Sequence, residues 1–223
     1  MKRLFALLTI GLTIAGCGEK KNPEEKKLEV TPASITLNAD ETCQITTNAK
    51  KPAFKCADTY YASVDASGLV TAKLIGTTQI AVTSNMGDAT IPVTVTPKYN
   101  LYPEVDGLVG KDIAAMEAVM GSGYKVLEGT VETGTAGQAL YTYKGESEYI
   151  DAIAFTFNNG KCDKIAVAVL KANYDIALKH LMERYVITGK KGEEYAFTNH
   201  DKTVEIGLKD YSDTHWAIGY LPL

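Results

Sequence analysis

The sequence lacks the motifs that carry the common catalytic chemistries. It contains no Gly-x-Ser-x-Gly segment, no His-Glu-x-x-His pair and no phosphate loop. Histidine occurs three times in 223 residues and tryptophan once. These absences predict that the protein is not an enzyme and that it holds no metal or other cofactor.

The chain also lacks an excess of positive charge. It has 23 Lys and Arg against 27 Asp and Glu, which gives a formal net charge of −4. A mildly acidic protein is poorly suited to bind nucleic acid or an anionic membrane surface directly, so we expect no nucleic-acid partner. The length suffices for two modest domains.

Long hydrophobic runs are missing as well. The longest, residues 4–15, is shorter than the roughly 20 residues of a membrane-spanning helix. It follows Lys2 and Arg3 and ends in Ala-Gly-Cys17, so the segment resembles a bacterial lipoprotein signal peptide. The resemblance implies that residues 1–16 are removed and that Cys17 is acylated. We therefore expect an outer-membrane lipoprotein, facing either the cell surface or the periplasm.

Composition and periodicity divide the next part of the chain into a polar segment and a strand-rich region. Residues 17–28 are almost entirely polar, which predicts a disordered tether. Residues 29–97 contain short runs at strand spacing between turn-forming segments, with no helical period. About seven strands in some 70 residues are typical of a small all-β sandwich.

Three segments of this region carry a family resemblance. They are the opening at residues 30–42, the stretch Ala62-Ser63-Val64-Asp65-Ala66-Ser67-Gly68-Leu69-Val70-Thr71-Ala72, and the close at residues 93–96. Together they resemble the bacterial immunoglobulin-like (Ig-like) domain of group 2. The resemblance implies an immunoglobulin-like sandwich that acts as a spacer or adhesion module. Locally, Gly68 should adopt a left-handed conformation in a tight hairpin.

The cysteines depart from the family pattern. Cys56 stands where the family usually has Ser, and Cys43 lies on a strand expected to pack across from it. We therefore predict a Cys43–Cys56 disulfide, a local staple contributing at most about 3 kcal/mol. Cys162 is interpreted as a small buried apolar residue.

Beyond a short linker, residues 98–106, the pattern changes to that of an α+β domain over residues 107–223. A helix is predicted around residues 113–120, and a second over residues 174–185 with Asn173 as N-cap. Strand-like runs follow each helix, and Asn158-Asn159-Gly160-Lys161 predicts a hairpin. The order helix then strands occurs twice, which suggests a tandem repeat of about 60 residues with an antiparallel sheet. In pattern it is similar to tandem β-lactamase-inhibitor-like periplasmic modules.

Polar clusters offer few candidate sites. Asp210 to His215 brings two carboxylates and an imidazole together, yet a polar turn between strands explains it better than a metal site. His180 is expected at the edge of the apolar face of the second helix, and His200 in a turn. Glu146 and Glu148 are also better explained by a turn than by acid–base catalysis.

Aromatic residues are the most interesting set in this domain. Tyr141 and Tyr143 share one side of a strand, and Trp216 and Tyr220 share one side of another. If that side packs on the helices, these residues belong to the core, which is the interpretation we favour. If it is open, they form a candidate binding platform for a carbohydrate or a protein.

The leading functional hypothesis is a lipid-anchored cell-envelope interaction protein. The sandwich would be the spacer, the α+β domain the recognition surface, and the partner a carbohydrate or an envelope or host protein. Alternatives are a periplasmic accessory or inhibitor-like protein and, less favoured, a hydrolase.

Overall fold

The computed structural model describes residues 26–127, 138–145 and 147–223. Within these ranges the chain is mostly β, with several sheets and two α-helices. None of the helices there is long and apolar enough to cross a membrane. The predicted signal peptide, Cys17, most of the predicted tether and Glu146 lie outside the described residues.

Nine strands make up the first part of the chain. They are β1 (Val30–Thr31), β2 (Ile35–Asn38), β3 (Thr42–Gln44), β4 (Thr46–Thr47), β5 (Ala53–Cys56), β6 (Ala62–Val64), β7 (Leu69–Ala72), β8 (Gly76–Ser84) and β9 (Gly87–Thr96). A four-stranded sheet in the order β2-β9-β8-β5 and a three-stranded sheet in the order β3-β7-β6 enclose one core, and β1 pairs with β4. The buried residues alternate along the strands, as a sandwich requires. The core includes Ile35, Val70, Ile80, Val82 and Ile91.

The turn between β6 and β7 confirms the prediction for Gly68. Its φ is +85°, and an added Cβ would lie 2.9 Å from the Phe54 ring. The Asp65 carboxylate accepts hydrogen bonds from the backbone N–H groups of Ser67 and Leu69 and so fixes the turn. Both the backbone conformation and the close approach therefore require glycine here.

The predicted Cys43–Cys56 disulfide is wrong for this structure, in which both residues are free thiols. Cys56 is buried in β5, and its Sγ lies 3.2 Å from the carbonyl oxygens of Asp58 and Ala62. Cys43 is half-buried in β3 of the other sheet, with its Sγ 4.0 Å from the Gln44 carbonyl oxygen. Each thiol thus faces its own local carbonyl groups.

Two α-helices and eight strands follow. They are α1 (Ile113–Met120), β10 (Lys125–Leu127), β11 (Gln138–Lys144), β12 (Ile150–Asn158), β13 (Lys161–Leu170), α2 (Tyr174–Met182), β14 (Val186–Lys191), β15 (Glu194–Thr198), β16 (Val204–Asp210) and β17 (His215–Pro222). The strands form one antiparallel sheet in the order β10-β11-β12-β13-β17-β16-β15-β14. A helix followed by four strands occurs twice, and the last strand of each set meets the other at the centre of the sheet.

Local sequence explains the β12–β13 hairpin. Asn159 and Gly160 form its two-residue turn with φ values of +50° and +75°. Two consecutive positive φ values define the turn type that Asn-Gly favours, because it matches the twist of the flanking strands. The hairpin prediction is confirmed.

The second helix begins at the predicted Tyr174 with Asn173 at its N-cap position, but its capping contact and its end differ from the prediction. Asn173 precedes it, but its side-chain amide donates to the carbonyl oxygens of Glu148 and Tyr149 instead of capping the helix. The helix ends at Met182, before the predicted residue 185. Directly after the helix, the Glu183 carbonyl accepts a hydrogen bond from the backbone N–H of Ile75 in the sandwich, at 2.7 Å.

One face of the eight-stranded sheet is covered by the helices and by residues 101–108. Met116 of α1 and Leu181 of α2 are almost fully buried against it. The strand residues in this core include Ile153, Phe155, Phe157, Cys162, Ile165, Val167, Ile206, Leu208 and Ile218. Cys162 is buried here, as predicted, and burial raises the pKa of its thiol to about 11.

Candidate recognition surface

The four aromatic candidates lie on the covered face of the sheet. Tyr143, Trp216 and Tyr220 are 6%, 5% and 0% exposed, and Tyr141 is half-buried. Their contacts are internal: Tyr220 shares a 2.7 Å hydrogen bond with the hydroxyl of Tyr102, and the Trp216 ring packs 4.8 Å from that of Tyr174. The open-platform interpretation is therefore wrong, because three of these side chains are withdrawn from solvent.

The opposite face of the sheet carries a row of small residues. A single cross-strand row runs over six strands, and its residues are Thr142, Ala154, Ala166, Gly219, Gly207 and Ala196. All six are partly exposed, whereas the residues beside them in sequence point into the core. We call this surface the open face.

A shallow trough of about 280 Å³ lies on the open face. Its floor is formed by Ala166, Gly207, Ala217 and Gly219, and its rim by Lys164, Glu205, Lys209, Asp210, Tyr211 and Leu221. Tyr211 is 75% exposed. The trough therefore has an apolar floor inside a charged rim that carries one exposed tyrosine.

The glycines of the trough are not required by packing within the protein. A Cβ added at Gly219 would meet no atom within 4 Å, and one at Gly207 would meet only the flexible Lys209 side chain, at 3.3 Å. Glycine inside a strand weakens it and often marks a place where another backbone approaches closely. Here the two glycines keep the floor of the trough low.

Asp210 to His215, the candidate metal segment, spans the end of β16, the turn at residues 211–214 and the start of β17. The Asp210 carboxylate lies 2.6 Å from Lys171 Nζ, and His215 Nδ1 lies 2.8 Å from the Thr214 hydroxyl. Across the described ranges, no group of three or more His, Cys, Asp or Glu residues is arranged to hold a metal ion.

Comparison with known proteins assigns the sandwich. Residues 26–95 match the model of the bacterial Ig-like domain (group 2). The Ig-like domain thus covers the region whose sequence resembled that family. A solved structure described as domains 5-6 of the S-layer protein SbsC aligns with 89% of this chain and 84% of its own, at 11% identity and a TM-score of 0.27. No curated protein matches the chain.

Two buried charged residues after α2 contact the linker between the Ig-like domain and the eight-stranded sheet. Glu183 and Arg184 are each 6% exposed. The Glu183 carboxylate accepts the backbone N–H groups of Lys98 and Tyr99 at 3.1 and 3.0 Å, and the Arg184 Nε donates to Glu104 Oε1 at 2.6 Å. Sequence reasoning missed both residues, because nothing local distinguishes them from surface charges at a helix end.

His180 is also drawn into this junction. It is 1% exposed, and its Nδ1 lies 3.0 Å from the Tyr99 carbonyl oxygen. Burial, together with the nearby Arg184 charge, lowers the pKa of His180 to about 3. The imidazole is therefore a neutral structural group at physiological pH.

His200 does lie in a turn, between β15 and β16, but it also reaches the Ig-like domain. Its Nε2 is 3.0 Å from Asp58 Oδ2, and its ring stacks on that of Tyr61 at 5.4 Å. The hydrogen bond to the neighbouring Asp201 is the main cause of a raised pKa at His200. This cross-domain contact depends on tertiary structure, so turn chemistry alone could not predict it.

Proposed function

We propose that the protein is a lipid-anchored interaction protein of the bacterial cell envelope. The Ig-like domain would hold the eight-stranded sheet away from the membrane, and the open face would bind a protruding segment of another protein. The observation that carries the proposal is the uninterrupted row of alanines and glycines across five strands of that face, beside a trough with a charged rim.

A protein partner fits this surface better than a carbohydrate does. Sugar-binding faces rely on exposed flat aromatic rings, whereas three of the four aromatic candidates are buried on the other face. A low apolar floor allows a partner's main chain to approach closely, and the rim charges Lys164, Glu205 and Lys209 could fix its orientation.

The matched pair Gly219→Glu and Gly123→Glu tests the role of the open face. Gly219 has open space around it and ordinary φ, so a glutamate there should fill the trough without disturbing the sheet. Gly123 is an exposed loop glycine with equally open surroundings and serves as the control. The experiment is chemical crosslinking of tagged protein in living cells, followed by capture and identification of crosslinked proteins.

A partner captured by wild type and Gly123→Glu, but lost from Gly219→Glu, would support the proposal. Equal capture by all three proteins would contradict it. Circular dichroism and thermal unfolding of the purified variants establish that any loss of capture reflects the surface rather than unfolding.

Anchoring is tested separately, because Cys17 lies outside the described residues. Cells fed an alkyne-bearing fatty acid should label the wild-type protein and not Cys17→Ser. External protease on intact cells then distinguishes the two locations: cleavage indicates the cell surface, and protection until lysis indicates the periplasm.

The second candidate is a periplasmic accessory or inhibitor-like protein. The observation that favours it is the repeated order of a helix followed by four strands, meeting at β13 and β17. That order has the pattern of the β-lactamase-inhibitor-like repeats noted from the sequence. A partner that is a periplasmic enzyme, and that loses activity when the purified protein is added, would favour this candidate over a surface adhesin.

A further inference from the structure

The turn between β15 and β16 contacts the Ig-like domain through the ring of His200. The ring reaches the segment between β5 and β6, residues 57–61. It stacks on Tyr61, with ring centroids 5.4 Å apart and an interplanar angle of 8°, and it meets Tyr60 edge-on at 4.5 Å. These two contacts set the orientation of the imidazole at the junction between the Ig-like domain and the eight-stranded sheet.

Both ring nitrogens of His200 face a carboxylate. Nδ1 lies 2.8 Å from Asp201 Oδ1, and Nε2 lies 3.0 Å from Asp58 Oδ2. Both are hydrogen-bond distances. An ionised carboxylate can only accept, so both contacts are hydrogen bonds only when both nitrogens carry a proton. The geometry therefore fits the charged imidazolium form, in contrast to the buried and neutral His180.

The two carboxylates belong to different parts of the molecule. Asp58 is fixed within the Ig-like domain: its Oδ1 accepts the backbone N–H of Tyr60 at 2.9 Å, and its own N–H donates to the Thr78 hydroxyl at 3.0 Å. Asp201 is the neighbour of His200 in the same turn. The hydrogen bond to Asp201 therefore stays within the turn, and the hydrogen bond to Asp58 crosses the junction.

The charges around His200 favour its protonated form. Hydrogen bonds to Asp201, chiefly, and to Asp58 raise the pKa of His200 above its ordinary 6.5, although desolvation acts in the opposite direction. The other charged or titratable groups near the ring are Tyr60, Tyr61 and Lys73 of the Ig-like domain, Lys202 of the turn, Glu104 and Asp106 of the linker, and Arg184 and Tyr185 after α2. Of these, Arg184 is paired with Glu104 at 2.6 Å.

Loss of the proton affects the two contacts differently. The neutral ring keeps one N–H, and the adjacent Asp201, at the shorter distance, keeps it on Nδ1. Nε2 then presents a lone pair to the Asp58 carboxylate, and two acceptors at this distance repel each other. The stabilisation that the contact adds is thus fully present below pH 6.5 and is lost as the pH rises through the raised pKa.

We propose that His200 forms a pH-dependent contact between the Ig-like domain and the eight-stranded sheet. The protonated ring links the two through Asp58, and the neutral ring releases Asp58. The hydrogen bond from Ile75 to the Glu183 carbonyl does not involve His200, so the contact controls how firmly the two parts are held and not whether they are joined. The orientation of the open face relative to the Ig-like domain is therefore fixed more firmly in acidic than in alkaline surroundings.

NMR spectroscopy of the purified full chain tests the proposal. Long-range proton–nitrogen spectra report the protonation of the His200 ring. Amide hydrogen exchange of Ile75, corrected for the intrinsic effect of pH, reports the junction, because this N–H donates to Glu183 across it at 2.7 Å. Between pH 6 and pH 9 the protection of Ile75 should fall several-fold, while that of Ile91, which is fully buried in the Ig-like core, should not change.

The matched variants are Asp201→Asn and Asp213→Asn. An asparagine amide at position 201 can donate to Nδ1, which places the proton of the neutral ring on Nε2, where it donates to Asp58. Asp201→Asn should therefore keep the protection of Ile75 at pH 9. Asp213→Asn removes the same charge from another exposed turn and should lose protection as the wild type does.

Equal protection of Ile75 at pH 6 and pH 9 in the wild type would overturn the proposal. So would an equal loss in Asp201→Asn and Asp213→Asn, because the effect would then not depend on which nitrogen carries the proton. A parallel loss at Ile75 and Ile91 would show that the Ig-like domain itself unfolds, and would also overturn it.

Discussion

The two faces of the eight-stranded sheet are built from alternate residues of the same strands and have opposite compositions. The covered face carries Phe155, Ile165, Ile218 and Tyr220, which are fully buried. The open face carries their neighbours in sequence, among them Ala166 and Gly219. Large side chains thus complete the fold on one face. On the other, the row of alanines and glycines leaves room that the fold itself does not use, which is why we propose it as the recognition surface.

Substitutions at two adjacent residues of β17 should give the largest difference in the free energy of unfolding between the two faces. Ile218→Asp buries a carboxylate in an apolar core and should lower the free energy of unfolding by about 4 kcal/mol or more. Ala217→Asp places the same group on the open face and should change it by less than about 1 kcal/mol. Urea unfolding measures both. Similar losses in the two variants would show that the open face is itself packed.

Lowering the pH should destabilise the protein through His180, which lies on the helix-covered side of the sheet. Its pKa is lowered to about 3 in the folded protein from 6.5, so the unfolded chain binds the proton more readily. Stability is then fully present above pH 6.5 and falls as the pH drops toward 3. From pH 6.5 to 5 the free energy of unfolding should decrease by about 1.5 kcal/mol.

The matched variants for this pH dependence are His180→Asn and His200→Asn. Urea unfolding across the pH range should show a shallower decrease for His180→Asn, whose side chain does not titrate. His200→Asn should keep the decrease, because His200 is exposed and its pKa is raised, not lowered. An unaltered decrease in His180→Asn would assign the effect to other groups.

Removing a tyrosine hydroxyl should lower the free energy of unfolding more on the covered face than on the open face, by a smaller amount than the β17 substitutions. Tyr220→Phe leaves the Tyr102 hydroxyl buried without its 2.7 Å partner and should lower the free energy of unfolding by about 1–2 kcal/mol. Tyr211→Phe, on the exposed rim of the trough, should have no measurable effect on unfolding. If Tyr220→Phe proved neutral, water or Tyr185 would have to replace the lost bond.

The smallest expected change in the free energy of unfolding is an increase. Gly219→Ala should raise the free energy of unfolding by roughly 0.5 kcal/mol, because glycine in a strand is less favourable than alanine and the added Cβ meets no atom within 4 Å. Gly68→Ala should be destabilising instead, since its φ is +85°. A destabilised Gly219→Ala protein would mean that the glycine serves the fold and not the trough.

Sequence alone predicted the features that depend on neighbouring residues. The Asn159-Gly160 turn, the left-handed Gly68 and the position of α1 follow from local backbone chemistry and were confirmed. The Ig-like domain could be identified because its central motif, residues 62–72, lies within the single hairpin of β6 and β7.

Features that depend on distant parts of the chain could not be predicted. Period-two alternation placed Trp216 and Tyr220 on one side of a strand but could not say which side the helices cover. The disulfide prediction failed because strand assignment does not fix where two thiols point. The alternation of small with large residues in β12, β13 and β17 was visible in the sequence, and it is a signal that could have found the open face.

The place of β17 in the sheet has a consequence for how the protein is made. It follows the other strands of the sheet in sequence but lies between β13 and β16, so residues 165–170 pair with residues 215–220. During synthesis the emerging sheet therefore stays in two unjoined parts until residue 222 has left the ribosome. Until then β13 presents an unpaired edge, which is a template for pairing with another chain, and a ribosome stalled in β17 would leave a gap at the centre of the sheet.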